Sequence, residues 1–314
     1  MKAMVVRAYG EPDAFEYAEL ETPRPKADEV LVRVRGSGVN PFDCTIRSGA
    51  LKAFIRLRLP AVLGVDLAGE VAEVGRSVSR FKPGDRVYAY VAERGGGYGE
   101  FAAVPESLVA RAPKNVRLEE AGVVPGVALT AHEAFTKHAQ LKRGDRVLIV
   151  GAAGGVGSFA VQVAKAFGAR VTGVCSGPKA AFVEGLGADA VVDYTTSDPL
   201  ELRDRFDVIL YAVRDGRQGK FRRLLKARGR IVVLTHSPFW IPVAIAQNLV
   251  SRRKNAMFYV KGDGKRLDEV TRLIEEGRVR VAIHASYSWR ELGRAHQECE
   301  AGRTLGKIAV RIGA

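Results

Sequence analysis

The feature that most constrains the fold is a glycine-rich turn between an apolar segment and a helical pattern. Residues 147–150 form a short apolar run that predicts a buried strand, and apolar residues recur at helical spacing beyond residue 156. Glycine lets the intervening turn approach a pyrophosphate, while a helix N-terminus offers N–H groups to phosphates. The pattern predicts a dinucleotide-binding unit, the alternative being a purely structural turn. The residues expected to hold the cofactor here are Gly151, Gly154, Gly155, Val156 and Gly157.

The rest of the chain divides into three segments by pattern. Residues 1–120 contain short strand-like runs separated by glycine and proline turns, which predicts a small barrel-like β domain. A helix is expected at 119–140, and in 121–260 strands alternate with helices, which predicts a doubly wound parallel sheet. Residues 261–314 are too few to stand alone and are expected to return to the first domain. The predicted sheet has strands at 146–150, 170–174, 190–193, 207–212, 230–235 and 256–260, and helices at 155–167, 178–186, 217–226 and 242–253.

The charge of the chain favours an anionic ligand. The sequence has 49 basic and 35 acidic side chains, a net charge of +14. This balance suits a phosphorylated cofactor. The basic residues are scattered and are not interleaved with aromatic residues, so nucleic acid is not expected as a partner.

The cysteines and the apolar runs exclude other classes of protein. The three cysteines are far apart, which argues against a disulfide framework and a four-cysteine zinc lobe. The N-terminus is charged too early for a signal peptide. The uncharged run 231–251 contains proline and amide side chains, so it predicts strand, loop and helix instead of a membrane span. We expect a cytoplasmic protein without membrane association.

Several motifs along the chain resemble the medium-chain dehydrogenase/reductase superfamily, and most of all its zinc-free quinone oxidoreductase branch, which includes zeta-crystallin. The resemblance implies an α/β protein with a GroES-like β-barrel catalytic domain, a Rossmann doubly wound parallel sheet, and an active site in the cleft between them. It also implies a homodimer or tetramer paired through the edge strand of the Rossmann sheet. The motifs that carry it are 38–43, 47–49, 64–69, 82–87, 151–157, 295–296 and 305–308.

The end of the second Rossmann strand favours NADPH over NADH. An NAD-preferring site usually has an acid there, whereas this strand runs into Cys175 with no acid before Glu184. Ser176 and Lys179 are expected to bind a 2′-phosphate, although Lys179 could also be a solvated helix residue. By resemblance, Tyr194 lies near the same phosphate, Thr130 and Thr235 face the nicotinamide, and Lys307 lies near the pyrophosphate or is merely exposed.

The positions of the family's catalytic zinc ligands carry other residues here. Asn40 stands at the cysteine position and residues 64–66, Gly-Val-Asp, stand at the Gly-His-Glu segment. Asparagine and valine cannot replace a thiolate and an imidazole around zinc. The five histidines show no metal-binding spacing, and His296 is expected to be structural. The sequence therefore predicts a zinc-independent enzyme.

Without a Lewis acid, NADPH suits acceptors that take hydride readily, namely quinones and α,β-unsaturated carbonyls. The oxyanion or enolate that results needs a hydrogen-bond donor and a proton. Asn40 is the best candidate donor, its alternative role being a turn residue before Pro41. Asp43 is expected to orient the loop, and Thr45 is a weak substitute for the tyrosine that related reductases carry nearby. Whether Arg47 contacts substrate or packs the loop is left open.

Two other classes of function remain open at this point. A catalytically weak NADPH-binding or RNA-binding protein of the zeta-crystallin type would bind NADPH without turnover. Residues 239–241 with the basic cluster 252–254 could mark a membrane surface site, although a loop and helix beside the cleft or dimer edge explain them better. The favoured interpretation is an NADPH-dependent reductase of a small-molecule quinone or enone.

Overall fold

The computed structural model describes residues 1–234 and 240–313, which form two compact units. Unit 1 consists of residues 1–129, 261–277 and 281–314, and unit 2 of residues 130–260 and 278–280. The boundary between the two units follows Leu129 and lies within a helix. The predicted domain boundary at residue 120, where the sequence pattern changes, marks only the end of the first run of strands. The C-terminal segment is part of unit 1, since its last strand pairs with a strand of the first forty residues.

Unit 1 contains a seven-stranded, mostly antiparallel sheet and a smaller three-stranded sheet. The long strand at 29–39 is central to the larger sheet, because it pairs with three other strands and is buried along most of its length. The strands are β1 (Lys2–Val6), β2 (Phe15–Glu19), β3 (Glu29–Val39), β4 (Ala61–Val62), β5 (Asp66–Val74), β6 (Arg86–Tyr90), β7 (Phe101–Pro105), β8 (Val109–Arg111), β15 (Ile283–Ser288) and β16 (Lys307–Arg311). The order of the larger sheet is β15-β16-β3-β5-β6-β8, with β7 on β3, and that of the smaller is β2-β1-β4.

The helix expected at 119–140 is divided into three pieces. Pro125 begins the second piece, where its missing N–H group costs no hydrogen bond. Residues 134–139 continue with the wider turn of a π-helix. The helices outside the Rossmann pattern are α1 (Pro41–Arg47), α2 (Leu118–Ala121), α3 (Pro125–Glu133), α8 (Gly264–Glu275) and α9 (Leu292–Ala301).

Unit 2 is a six-stranded parallel sheet in the order β11-β10-β9-β12-β13-β14. The order reverses between β10 and β12 on either side of β9, which is the doubly wound arrangement predicted from the sequence. The central strand β9 is buried along almost its whole length. The elements are β9 (Arg146–Val150), α4 (Gly155–Ala166), β10 (Arg170–Cys175), α5 (Ala180–Gly185), β11 (Ala190–Asp193), β12 (Phe206–Tyr211), α6 (Gln218–Phe221), β13 (Leu225–Val233), α7 (Trp240–Val250) and β14 (Lys254–Met257).

The prediction of a helix at 217–226 is wrong in its second half. Helix α6 ends at Phe221, a single 3-10 turn follows, and β13 begins at Leu225. Leu225 is fully buried and pairs with Phe206, so the core of the sheet outweighs the helical pattern of the flanking basic residues. Gly229 permits the strand to pass close to Phe206, where a β-carbon would lie 2.9 Å from the carbonyl oxygen.

The uncharged run 231–251 forms the end of β13 and helix α7, which is only 11 residues long. Within residues 1–234 and 240–313, no helix has both the length and the apolar character needed to cross a bilayer. Thr235, which was expected to face the nicotinamide, and Phe239, which was considered as part of a membrane surface site, lie outside the described residues.

Candidate functional site

The glycine turn of unit 2 has the backbone geometry that nucleotide binding requires. Gly151 has φ +87°, and a β-carbon there would lie 2.8 Å from the side chain of Val213. A β-carbon on Gly157 would lie 2.0 Å from the carbonyl oxygen of Gly151, so only glycine allows α4 to pack this closely on β9. Gly154 is the N-cap of α4 and has no side chain to cap the first N–H groups of the helix. These groups are left available to an anion.

The end of β10 brings together a hydroxyl, an amine and a carboxylate. Ser176 and Lys179 are half-buried, and burial lowers the pKa of Lys179. Asp193, at the end of the neighbouring strand β11, lies next to Gly177, and its hydrogen bonds from Thr195 hold its pKa below the usual range. An acid therefore does stand at this edge, although it comes from the third strand. The sequence analysis considered only the residues that follow the second strand. Asp193 reaches the same edge of the sheet because parallel pairing places it beside Cys175.

The other residues expected to bind the cofactor are distributed over both units. Tyr194 is 58% exposed, directly after β11. Thr130 is half-buried on α3 and is assigned to unit 2. Lys307 is only 3% exposed, on β16 of unit 1, so the alternative of an exposed lysine is wrong.

A buried hydrogen-bond network in unit 1 connects Asn40, Asp43, Asp66 and Lys307. The amide nitrogen of Asn40 donates to Oδ2 of Asp43 at 3.0 Å and to Oδ2 of Asp66 at 2.9 Å. The Lys307 ammonium donates to Oδ1 of Asn40 at 2.6 Å and to the Val39 carbonyl oxygen at 2.9 Å. All four side chains are at most 9% exposed. We refer to these four residues as the Lys307 network.

Local structure fixes both carboxylates of the network. Asn40 precedes helix α1, and Asp43, in the first turn, accepts the Asn40 backbone N–H at 2.9 Å. The other oxygen of Asp43 accepts the Val65 N–H at 3.0 Å. Asp66 begins β5, and its Oδ1 accepts the Gly126 N–H at 2.7 Å. Because α1, β5, α3 and β16 each contribute a group, the network is held by several elements of the unit.

Burial makes the two carboxyl groups unusually basic. Loss of solvation raises the pKa of Asp43 to about 6 and that of Asp66 to about 7, against the lowering effects of the Asn40 hydrogen bonds and the Lys307 charge. Two carboxylates beside one ammonium would leave a net negative charge in a dry site. A proton on either acid would remove that charge, which is why burial raises both pKa values, that of Asp66 more than that of Asp43.

The expected role of Asn40 needs a correction. Both amide N–H groups, which were expected to donate to the oxygen of an acceptor, are engaged by the carboxylates of Asp43 and Asp66. Its oxygen is fixed by the ammonium of Lys307, so the amide cannot be turned without placing two donors together. The hydroxyl of Thr45 is also engaged, donating to the Pro41 carbonyl oxygen at 2.7 Å within α1. Asn40 therefore positions the acids and the ammonium.

Arg47 packs the helix pair α1 and α9. It is 1% exposed, and its guanidinium donates to Glu300 at 2.5 Å. Nearby, His296 is fully buried between Cys44 Sγ at 3.4 Å and the Tyr98 hydroxyl at 3.1 Å. Burial lowers the pKa of His296 to about 3, so the imidazole is neutral and structural.

The residues present do not fit a catalytic zinc ion. At the expected ligand positions the structure has the Asn40 amide, the buried apolar side chain of Val65 and the Asp66 carboxyl. The Lys307 ammonium, bonded to Asn40, adds a positive charge that repels a second cation. In the described part of the chain, no group of three or more His, Cys, Asp or Glu side chains is arranged to hold a metal ion.

Sequence reasoning missed that Asp66 and Lys307 share one site with Asn40. Both residues stand in motifs that carried the family resemblance, but Lys307 was expected near the pyrophosphate. Hydrophobic patterning did contain a signal, since Lys307 opens a strand whose following residues are apolar. A charged residue at the start of a buried terminal strand needs a buried partner.

Comparisons with known proteins agree with this geometry. The sequence model for the alcohol dehydrogenase GroES-like domain matches residues 26–114, and that for zinc-binding dehydrogenase matches residues 186–310. The chain is 31% identical to the chloroplast envelope quinone oxidoreductase homolog of Arabidopsis thaliana, over 99% of this chain and 98% of the relative. It is 34% identical to the 2-methylene-furan-3-one reductase of Solanum lycopersicum, over 99% of this chain and 79% of the relative.

A solved structure extends the likeness to the fold. The Escherichia coli quinone oxidoreductase complexed with NADPH superposes with a TM-score of 0.86 at 25% identity, covering 99% of this chain and 100% of the other. The GroES-like domain and the Rossmann domain expected from the sequence are therefore confirmed. The chain is an oxidoreductase that belongs to the medium-chain dehydrogenase/reductase superfamily, in its quinone oxidoreductase branch.

Proposed function

We propose that the protein is an NADPH-dependent, zinc-independent reductase that transfers hydride to a quinone or an α,β-unsaturated carbonyl. The observation that carries this proposal is the Lys307 network. In this network an ammonium, an amide and two acids of raised pKa stand in place of the ligands of a zinc site. The names of the relatives, one a quinone oxidoreductase homolog and one an enone reductase, support the same class of acceptor.

The glycine turn and the end of β10 fit a nicotinamide dinucleotide. The N-terminus of α4 and the turn from Gly151 to Gly157 would hold the pyrophosphate. Ser176 and Lys179 would hold a 2′-phosphate, with the ammonium of Lys179 offsetting its charge. The bound cofactor supplies hydride. The Asp193 carboxylate stands at the same edge, but its hydrogen bonds with Thr195 engage it locally.

The Lys307 network would then supply the proton that the reduced acceptor needs. Asp43 lines a cleft of unit 1, whereas Asp66 lies deeper and is fully buried. The pKa of Asp43, about 6, allows the acid to release a proton at neutral pH and to recover one afterwards. Lys307 stabilises the carboxylate that remains, and Asn40 fixes the distance between the two acids. This assignment supplies the general acid that the sequence alone did not reveal.

The test is oxidation of NADPH, followed by the absorbance of the reduced nicotinamide, with a panel of quinones and enones. NADPH and NADH are compared in separate reactions, each with and without a chelator. The key variant is Asp43→Asn, and the matched control is Ser48→Ala, an exposed residue that directly follows α1. We expect chelator-resistant turnover with NADPH, a loss of about 10²-fold in Asp43→Asn, and little change in Ser48→Ala.

Three outcomes would contradict the proposal in different ways. Turnover abolished by the chelator would contradict zinc independence. Full activity in Asp43→Asn would contradict the proton assignment but not the reductase function. NADPH binding without turnover on any acceptor would favour the binding-protein class instead.

We also propose that two copies pair through β14. This strand is the edge of the Rossmann sheet, with β13 as its one neighbour among the described strands. Leu249 and Val250, at the end of α7, are 82% and 89% exposed, so apolar surface is available beside this edge. Light scattering after size-exclusion chromatography tests the proposal, and a monomer at micromolar concentration would contradict it.

A further inference from the structure

A cleft of about 870 Å³ lies within unit 1, directly beside the Lys307 network. It contacts Asp43 and the segment 63–65, whose Val65 N–H is bonded to Asp43. Other parts of its wall are apolar, including Ile55, Leu57 and Phe54. A cleft with an apolar wall and one carboxyl group suits the carbonyl acceptor of the proposed reaction.

Three arginines, Arg56, Arg58 and Arg94, line the same cleft. Arg94 faces Glu29 at 3.7 Å, which partly compensates its charge. Arg56 and Arg58 are exposed and make no ion pair or hydrogen bond with any residue that the structure describes. Among the described side chains of the lining, Asp43 is the only acid, and it is 1% exposed. The mouth of the cleft therefore carries an uncompensated positive charge.

The local backbone holds the two arginines beside the wall. The segment follows α1 through a turn in which the Lys52 N–H donates to Gly49 and the Ile55 N–H donates to Leu51. The Leu57 N–H donates to the Tyr9 hydroxyl at 3.0 Å, which fixes the chain between the two arginines. Arg56 and Arg58, on either side of this bond, both line the cleft.

We propose that this cleft receives the acceptor and that Arg56 and Arg58 bind an anionic group on it, so that the preferred substrate is a quinone or enone bearing a carboxylate, sulfonate or phosphate. The inference rests on the reductase function proposed above. The apolar wall holds the ring or chain of the acceptor, and Asp43 stands where its carbonyl oxygen must gain a proton. The guanidinium groups bind the anion at the mouth, with the geometry that favours arginine for such groups.

The experiment compares pairs of acceptors that differ by one anionic group. One pair is naphthoquinone and its ring sulfonate, and the other is benzylideneacetone and its para-carboxylate. The test variant is Arg56→Gln with Arg58→Gln. The matched control is Lys52→Gln with Arg76→Gln, which removes the same two charges from exposed residues of unit 1 that do not line the cleft.

We expect kcat/KM for each anionic acceptor to fall about tenfold in the test variant, with less than about twofold change for the neutral partner. The control should leave both values unchanged, and the preference of the native protein for the anion should weaken as salt rises. A fall of equal size for neutral and anionic acceptors, or in the control, would overturn the proposal.

A binding measurement separates this proposal from the reductase function. Calorimetric titration of the naphthoquinone sulfonate into the oxidised-cofactor complex needs no turnover. Binding that is weakened about tenfold by Arg56→Gln with Arg58→Gln supports the anion site even if no acceptor is reduced. Equal binding by the native and variant proteins contradicts it, whatever the activity.

Discussion

Replacing Lys307 by methionine removes the cation of the Lys307 network while keeping a side chain of similar length. Asn40 Oδ1 and the Val39 carbonyl oxygen then lose a donor at 2.6 and 2.9 Å. Each buried acceptor left without a partner costs about 1–3 kcal/mol of unfolding free energy. Lys307 also offsets the negative charge of Asp43 and Asp66, and removal of a buried compensating charge costs about 3–5 kcal/mol. We therefore expect Lys307→Met to lower the free energy of unfolding by about 3–5 kcal/mol at pH 8.

The loss of unfolding free energy in Lys307→Met should be larger at high pH than at low pH. Lys307 lowers the pKa of both Asp43 and Asp66, so its removal raises folded-state values that already exceed the unfolded value of 3.8. A carboxyl whose folded pKa is raised destabilises the protein progressively as pH rises through that pKa. Near pH 5 both acids are mostly protonated, and only the missing hydrogen bonds remain. We expect the loss to shrink to about 2 kcal/mol there.

The assay is urea unfolding followed by circular dichroism at pH 5 and pH 8. The variant Lys307→Gln separates the effect of charge from that of hydrogen bonding, because glutamine keeps a hydrogen-bond donor but has no positive charge. Its stability should approach that of the native protein only at pH 5. Lys52→Met, an exposed lysine of the same unit, is the control and should change stability by less than about 0.5 kcal/mol. An equal loss at both pH values, or a loss below about 1 kcal/mol at pH 8, would refute the reasoning.

Four further predictions concern the cofactor, the proton and the core. Gly157→Ala should weaken NADPH binding at least about tenfold in a fluorescence titration, because the new methyl meets the Gly151 oxygen. Lys179→Gln should weaken NADPH binding about tenfold and NADH binding less than about twofold, and equal effects would argue against a 2′-phosphate contact. The kcat for quinone reduction at saturating NADPH should fall as pH rises through about 6 to 7, as Asp43 and Asp66 lose their protons, and a flat profile to pH 9 would contradict this. The imidazole of His296 should remain neutral in NMR spectra between pH 5 and 8.

The Rossmann unit could be predicted closely because its signals are local. The apolar run at 147–150, the glycine turn and the helix that follows are adjacent in sequence, and all three form as predicted. The helix predicted at 217–226 fails where a long-range contact decides, since the pairing of Leu225 with Phe206 extends the strand. Patterns within a window of ten residues contain no information about that pairing.

The Lys307 network could be predicted only in part, for the same reason. Asn40 and Asp43 lie three residues apart at a helix start, and their association follows from capping chemistry. Lys307 is 267 residues from Asn40, and only the packing of β16 on β3 brings them together. Without that contact, the sequence predicts an Asn40 amide that is free to donate to a substrate, and it identifies no general acid. The sequence predicted the association of Asn40 with Asp43 but not that the Asn40 donors are engaged by two acids.

The discontinuity of unit 1 determines the order in which the protein can be completed during synthesis. The ribosome delivers residues 130–260 before β16, so unit 2 can begin to fold while the C-terminal half of β3 still lacks its partner strand. Lys307 lies at the start of β16, so the pairing of that strand with β3 completes both the sheet and the Lys307 network in one late step. A nascent chain can therefore form the Rossmann sheet before the Lys307 network is complete. Assembly of this network thus depends on a strand that is synthesised after all of unit 2.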